Sequence, residues 1–312
     1  MRSLVTGGAG FIGSHLCEAL LKEGQEVICV DNLGSGNFEN VRSLTKNKKF
    51  RFIKHNIIEP LQLIEGKIDF IYHLASRASP KDYQEYPVET ALANSVGTDR
   101  MAKLALAKNA KLLFASTSEA YGEPKEHPQK ESYWGNVNPV GVRSCYDESK
   151  RFGEALLMGY HREYNVDVKI VRIFNTYGPK MRIDDGRVIP NFITQALENK
   201  PLTIYGDGTQ SRSFCYVDDM VKGIIKMMNS KETGPKNLGN PKEFTILETA
   251  KLIKKLTKSS SDFVFMDLPK DDPTKRRPDI SHARTLLSWE PKIEFEEGLK
   301  KTIKWFKTRL HK

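Results

Sequence analysis

Tyr146 and Lys150 stand four residues apart in "YDESK", near the start of an amphipathic segment, so a helix there would present both from one face. A phenol ordinarily titrates near ~10 and is a poor base at neutral pH, but a nearby ammonium stabilises the phenolate and lowers that value. The pair can therefore draw a proton from a hydroxyl. Tyr121 and Lys125 repeat the spacing, yet Gly122 and Pro124 lie between them and disfavour a regular helix, so the repeat loses its geometric meaning. The run "LLFASTSEAYGEP" ends in Ser116, Thr117, Ser118 and Glu119. Open α/β sheets keep reacting groups where strands end, which assigns these four to the same site. The bland alternative for Glu119 is a strand-end residue capping the following turn.

A second pattern lies at the N-terminus. "LVTGGAGFIGSHLCEALLKEG" gives Gly8, Gly10 and Gly13 the GxGxxG spacing, and Gly7 adds GxxGxxG, between a strand-like run and a helix-like one. Glycines there allow a tight turn and close approach of backbone to a pyrophosphate, while the helix N-terminus supplies N–H donors and positive dipole. The next strand, "EVICVD", ends in Asp31, where a carboxylate can accept from ribose hydroxyls and would repel a 2′-phosphate. That favours NAD over NADP. No GK[ST] follows, which excludes a kinase-type phosphate loop.

The elements that must hold these groups alternate. Short apolar runs ("SLVT", "EVICV", "FRFIKH", "FIYHLA", "KLLFAS", "VKIVRIF") are separated by amphipathic segments near 12–23, 88–107 and 146–164. This rhythm predicts an α/β fold with a doubly wound parallel sheet over residues 1–175. Pro/Gly-punctuated chain follows, with helices expected near 188–198, 218–229, 245–257 and 295–309. It predicts a smaller C-terminal substrate-binding lobe, 176–312, with segments near 210–236 returning to the first domain.

Composition bounds the rest. A chain of 312 residues that is 39% apolar can bury a substantial core. No stretch approaches the roughly 18 consecutive apolar residues of a membrane span, and the N-terminus enters a strand directly, without a signal-peptide pattern, so a soluble cytoplasmic protein is expected. Cys17, Cys29, Cys145 and Cys215 lack CxxC spacing and read as buried free thiols; no Cys/His cluster suggests a metal. The net charge of +10 is spread over helices, and no nucleic-acid signature accompanies it.

"TGGAGFIGSH", "STSEAYG" and "YDESK" resemble the extended short-chain dehydrogenase/reductase superfamily, the Rossmann-fold NAD-dependent epimerases and dehydratases. Longer stretches, among them "HPQKESYWGNVNPVGVRSCYDESKR", "YGDGTQSRSFCYVDD" and "DDPTKRRPDI", resemble its UDP-glucuronate decarboxylases, the UDP-xylose synthases. The resemblance implies a catalytic set of Thr117, Ser118, Glu119, Tyr146, Lys150 and Arg212. For NAD it implies Gly7, Gly10, Phe11, Ile12, Gly13, Asp31, Asn32, Asn56, Ile57, Leu74 and Ala75, with Tyr146 and Lys150. For a UDP-sugar it implies Glu119, Asn175, Lys180, Arg187, Tyr205, Arg212 and Arg277. It further implies a homodimer through helices 88–107 and 146–164, and neither nucleic acid nor membrane as partner.

The implied reaction oxidises C4″, which leaves the C6 carboxylate β to a ketone and able to depart as carbon dioxide; the cofactor is restored in the same cycle. Glu119 would orient the sugar and a proton-donating water, while Arg212 acts as electrostatic partner to carboxylate and phosphate. Epimerases usually carry a small residue at Glu119 and dehydratases an Asp-Glu pair, so Ser118-Glu119 sides with decarboxylation. The rivals are a UDP-hexose 4-epimerase and a non-catalytic NAD-responsive binding protein. Three positions depart from the family pattern: Arg77 replaces a common proline, Asn56 an Asp, and Ala120 a Val. Arg77, beside the cofactor diphosphate, is expected to tighten binding.

Overall fold

The computed structural model describes residues 1–61, 64–268 and 275–310; the "DDPT" part of the last motif quoted above lies outside them. Among the described residues, β1 (Arg2–Thr6), β2 (Glu26–Asp31), β3 (Phe50–Lys54), β4 (Phe70–His73), β5 (Lys111–Thr117) and β6 (Val168–Ile173) form one parallel sheet. Its order is 3-2-1-4-5-6, and the strand Lys236–Leu238 extends it beside β6.

The apolar runs are continuous because both faces of the sheet are covered. Leu4, Ile28, Ile71, Leu112 and Phe114 pack with Met101 and Leu157 on one side. Val5, Cys29, Tyr72 and Leu113 pack with Leu16, Leu20, Met220 and Ile224 on the other. The first side is built by α4 (Val96–Lys108) and α5 (Ser144–Tyr164); α1 (Phe11–Lys22) and α7 (Val217–Asn229) build the second. The chain winds to β2 and β3 on one side of β1 and to β4, β5 and β6 on the other. That reversal opens a crevice at the carboxyl ends of β1 and β4, where a doubly wound sheet binds its ligands.

The remaining helices are α2 (Pro80–Glu85), α3 (Pro87–Asn94), α6 (Val188–Leu197), α8 (Ile246–Thr257), α9 (Ser281–Leu287) and α10 (Phe295–Leu310). The single helix expected over 88–107 is two, α3 and α4. They part at Ser95, whose ψ of −76° departs from helical geometry while its hydroxyl donates to the Ala91 carbonyl at 2.7 Å. Beside α8, the strand Ser211–Ser213 pairs antiparallel with Glu243–Thr245 and parallel with Lys275–Arg276. Cys17, Cys29 and Cys215 are buried free thiols; Cys145 is only half-buried, because it lies near the start of α5 and meets the Tyr83 carbonyl. No helix among the described residues is long and apolar enough to cross a membrane.

Candidate active site

The glycine turn after β1 is tight for a visible reason. Gly7 has φ +70°, and a Cβ on it would come within 2.8 Å of the Ala75 backbone; a Cβ on Gly13 would collide with the Gly7 carbonyl. Gly10 is the N-cap of α1 and supplies no side chain to cap it, so the first-turn N–H groups stay available at the cleft. Gly8 plays a different part: a Cβ there would meet Cys29 Sγ at 2.5 Å, inside the core rather than at the cleft. The pattern that faces a ligand is therefore Gly7, Gly10, Gly13. Gly13→Ala is expected to overpack this turn by about 1–3 kcal/mol and to weaken NAD binding at least tenfold, read by calorimetric titration and thermal melting.

Asp31 lies at the end of β2 and is buried. It accepts from the Ala9 N–H at 3.0 Å and the Leu33 N–H at 2.8 Å. Burial pushes its carboxyl above the ordinary range, and these backbone donors oppose that shift. Even with the Gly10 N–H as a third donor, the carboxylate keeps a lone pair for a hydroxyl. Phe11, Ile12, Asn32, Asn56, Ile57, Leu74 and Ala75 line the same cleft of about 550 Å³, a volume ordinary for small-molecule sites. Asn56 uses its side-chain oxygen on the Ile58 N–H, at 3.4 Å.

Tyr146 and Lys150 project from α5 into the cleft, both buried. Lys150 Nζ donates to the Ala115 carbonyl at 2.8 Å and lies 5.8 Å from the Tyr146 ring centroid. Their titration differs from what the spacing predicts. Burial pushes Tyr146 up to about 12, opposed by the Thr117 hydroxyl hydrogen-bonded to it; burial brings Lys150 down to about 7. In both groups the cost of burying the charged form dominates. The Tyr83 ring stacks on Tyr146 with centroids 5.1 Å apart and planes within 6°. That contact fixes the plane of the phenol.

Beyond β5 a short 3-10 turn carries Ser118 and Glu119. Thr117 caps it, accepting from the Glu119 N–H at 3.2 Å, so the carboxylate of Glu119 is free for other work. It receives Arg143 Nη2 at 2.6 Å and Arg276 Nη2 at 3.1 Å. Burial raises the Glu119 pKa, but Arg276, Arg143 and Arg212 together bring it down to about 2. Asp147, 3.9 Å from Arg143 Nε, is pushed up to about 8 by burial and by the Glu119 charge. Ser116 points elsewhere: it donates to Glu154, which also holds Arg172.

Strand register explains why two arginines converge. Arg276 is the cross-strand partner of Arg212, so both guanidiniums occupy one side of that small sheet. Arg277, the residue expected to bind substrate, alternates to the other side and lies 3.5 Å from Glu243. It does not line the cleft; Arg276 does, and its Nε and Nη1 have no protein acceptor among the described residues. Asn175, Lys180, Arg187 and Tyr205 all line the cleft. Two of these are already paired within the protein, Lys180 with Glu18 at 3.3 Å and Arg187 with Asp185 at 2.5 and 2.7 Å. Tyr83, Arg143, Asp147 and Arg276 are the site residues that spacing alone misses.

One end of the cleft thus offers a glycine cradle that any Cβ would fill, a helix N-terminus and a buried carboxylate, which fit a dinucleotide. The other end offers a tyrosine, hydroxyls and arginines, which fit an oxidisable anionic alcohol. Fold and site together define an NAD-dependent enzyme of the doubly wound class. The chain belongs to the NAD dependent epimerase/dehydratase family, whose model matches residues 3–242. It is 52% identical to UDP-glucuronic acid decarboxylase 2 of Arabidopsis thaliana over 310 residues, 99% of this chain and 69% of that one. It is 50% identical to UDP-glucuronic acid decarboxylase 1 of Danio rerio over 99% of this chain and 73% of that one. Among solved structures, UDP-glucuronic acid 4-epimerase from Bacillus cereus, in complex with UDP-glucuronic acid and NAD, aligns at TM-score 0.86 and 32% identity, covering 99% of this chain and all of that one.

Proposed function

We propose that this chain decarboxylates UDP-glucuronate to UDP-xylose and carbon dioxide through a 4-keto sugar, with NAD as a recycled cofactor. The observation that carries the reading is identity near 50% with UDP-glucuronic acid decarboxylases over almost the entire chain, against 32% with the epimerase structure. Bound nicotinamide supplies the acceptor for the C4″ hydride and gives it back. We assign Gly7, Gly10, Phe11, Ile12, Gly13, Asp31, Asn32, Asn56, Ile57, Leu74 and Ala75 to holding it, over residues 1–175 with segments near 210–236, and the rest of 176–312 mainly to the nucleotide sugar.

Tyr146 Oη takes the C4″ hydroxyl proton, and Lys150 keeps the resulting phenolate tolerable. Thr117, already hydrogen-bonded to that phenol, and Ser118 hold the C4″ oxygen. Arg212 and Arg276 receive anionic oxygens of the substrate, with Asn175, Lys180, Arg187 and Tyr205 along the nucleotide. Glu119, kept ionised by its arginines, orients the sugar and the proton donor for C5″; it is no acid itself, because it titrates far below neutrality. A guanidinium stays protonated, so Arg212 steers rather than donates.

A homodimer and a cytoplasmic location complete the reading. Exposed Val88 and Leu92 on α3 and Phe152 on α5 support a helix-paired interface, and four free thiols suit a reducing compartment. The decisive experiment is incubation with UDP-glucuronate and NAD, followed by mass spectrometry. A product lighter by one carbon dioxide is expected; a product of unchanged mass with inverted C4″ would make the chain an epimerase.

A further inference from the structure

We infer that Arg77 is a clasp that retains the cofactor, tying the loop after β4 to the loop after β2 across the adenosine end of the cleft. The inference rests on the assignment of that end to NAD. The guanidinium makes three contacts on two segments, the loop of Gly34 and the start of α3. Nη1 donates to the Gly34 carbonyl at 3.1 Å, Nη2 donates to Glu89 at 2.8 Å, and the carbon between them lies 4.1 Å from the Tyr86 ring centroid. Although it stands at the rim, its side chain is only 14% exposed.

The far attachment point leads straight to the ribose carboxylate. Asn32, next to Asp31, accepts from the Gly34 N–H at 2.9 Å, so pulling on Gly34 pulls on the turn that presents Asp31. A Cβ on Gly34 would come within 2.9 Å of Arg77 Nη2, so the loops approach this closely because Gly34 has none. Gly34, Arg77 and Glu89 all line the cleft.

A clasp differs from a direct ligand in what it does to rates. A ligand to the diphosphate slows release alone, whereas a bridge that must open for entry and exit slows both directions. Retention suits a reaction that restores its cofactor each cycle and needs no exchange. The ion pair alone is weak, but a planar guanidinium stacked on an aromatic ring loses little freedom in holding it.

The test uses the full chain loaded with NADH, mixed rapidly with excess NAD while NADH fluorescence reports release, and in the converse arm mixed with NADH to report capture. Arg77→Ala and Glu89→Gln are each expected to speed release and capture about tenfold, with circular dichroism unchanged and the dissociation constant within about threefold. Release within twofold of the parent in Arg77→Ala overturns the clasp. So does faster release in Arg77→Ala with Glu89→Gln unchanged, since Arg77 would then be a direct ligand. A parent chain that holds no NADH overturns the clasp and the cofactor assignment together.

Discussion

Tyr146→Phe is expected to lower turnover of UDP-glucuronate by about 10²- to 10⁴-fold, the usual worth of a positioned general base, while NAD affinity stays within about twofold. Only one oxygen is removed. The ring keeps its stack on Tyr83, and the cofactor end of the cleft, set by the glycine turn and Asp31, is untouched. Stability is expected to fall by about 0.5–1.5 kcal/mol, because the buried Thr117 hydroxyl loses its phenol partner. Carbon dioxide release measured in parallel with calorimetric NAD titration separates the two effects. Release within tenfold of the parent, with NAD bound, would remove Tyr146 from the role of base and leave Lys150 holding only the Ala115 carbonyl.

That expectation is legible in the sequence, and the reason is local. Gly7, Gly10 and Gly13 work through one turn and one helix end, and Tyr146 and Lys150 through one helical face; each constraint is met within a few residues of chain. Glu119 was legible as an anomaly at a strand end, but its arginine partners were not. Arg276 reaches it only because the strand Lys275–Arg276 pairs in register with Ser211–Ser213, a long-range fact that no local pattern carries. The adjacent Arg277 was therefore as plausible, and one residue of register turns it to Glu243 instead. Tyr83 escaped for a related reason: α2 is six residues long, too short for periodicity to show, and its stack on Tyr146 joins separate segments. The titration of the pair was legible in kind but not in sign, since spacing reveals who the neighbours are and burial decides what they do.

Glu119→Gln carries the largest expected effect on stability and a large one on chemistry. The carboxylate is the shared partner of Arg143 and Arg276, the latter only 1% exposed, and removing its charge takes the nearest anion from a buried guanidinium. Breaking such a pair from one side typically costs about 3–5 kcal/mol. The pH dependence has a definite sign. The folded pKa of about 2 lies below the ordinary 4.5, so the carboxylate contributes stability above pH 4.5 and loses it progressively as pH falls toward 2. The interval is worth about 3 kcal/mol by linkage. Urea unfolding of the two proteins should therefore differ most near pH 7 and converge in acid. Carbon dioxide release should fall at least a hundredfold, since the sugar and its proton donor lose their anchor, while NAD binding persists at the other end of the cleft. Parallel stability curves across that range, with normal gas release, would reduce Glu119 to packing and return the choice between decarboxylase and epimerase to the identity of the product.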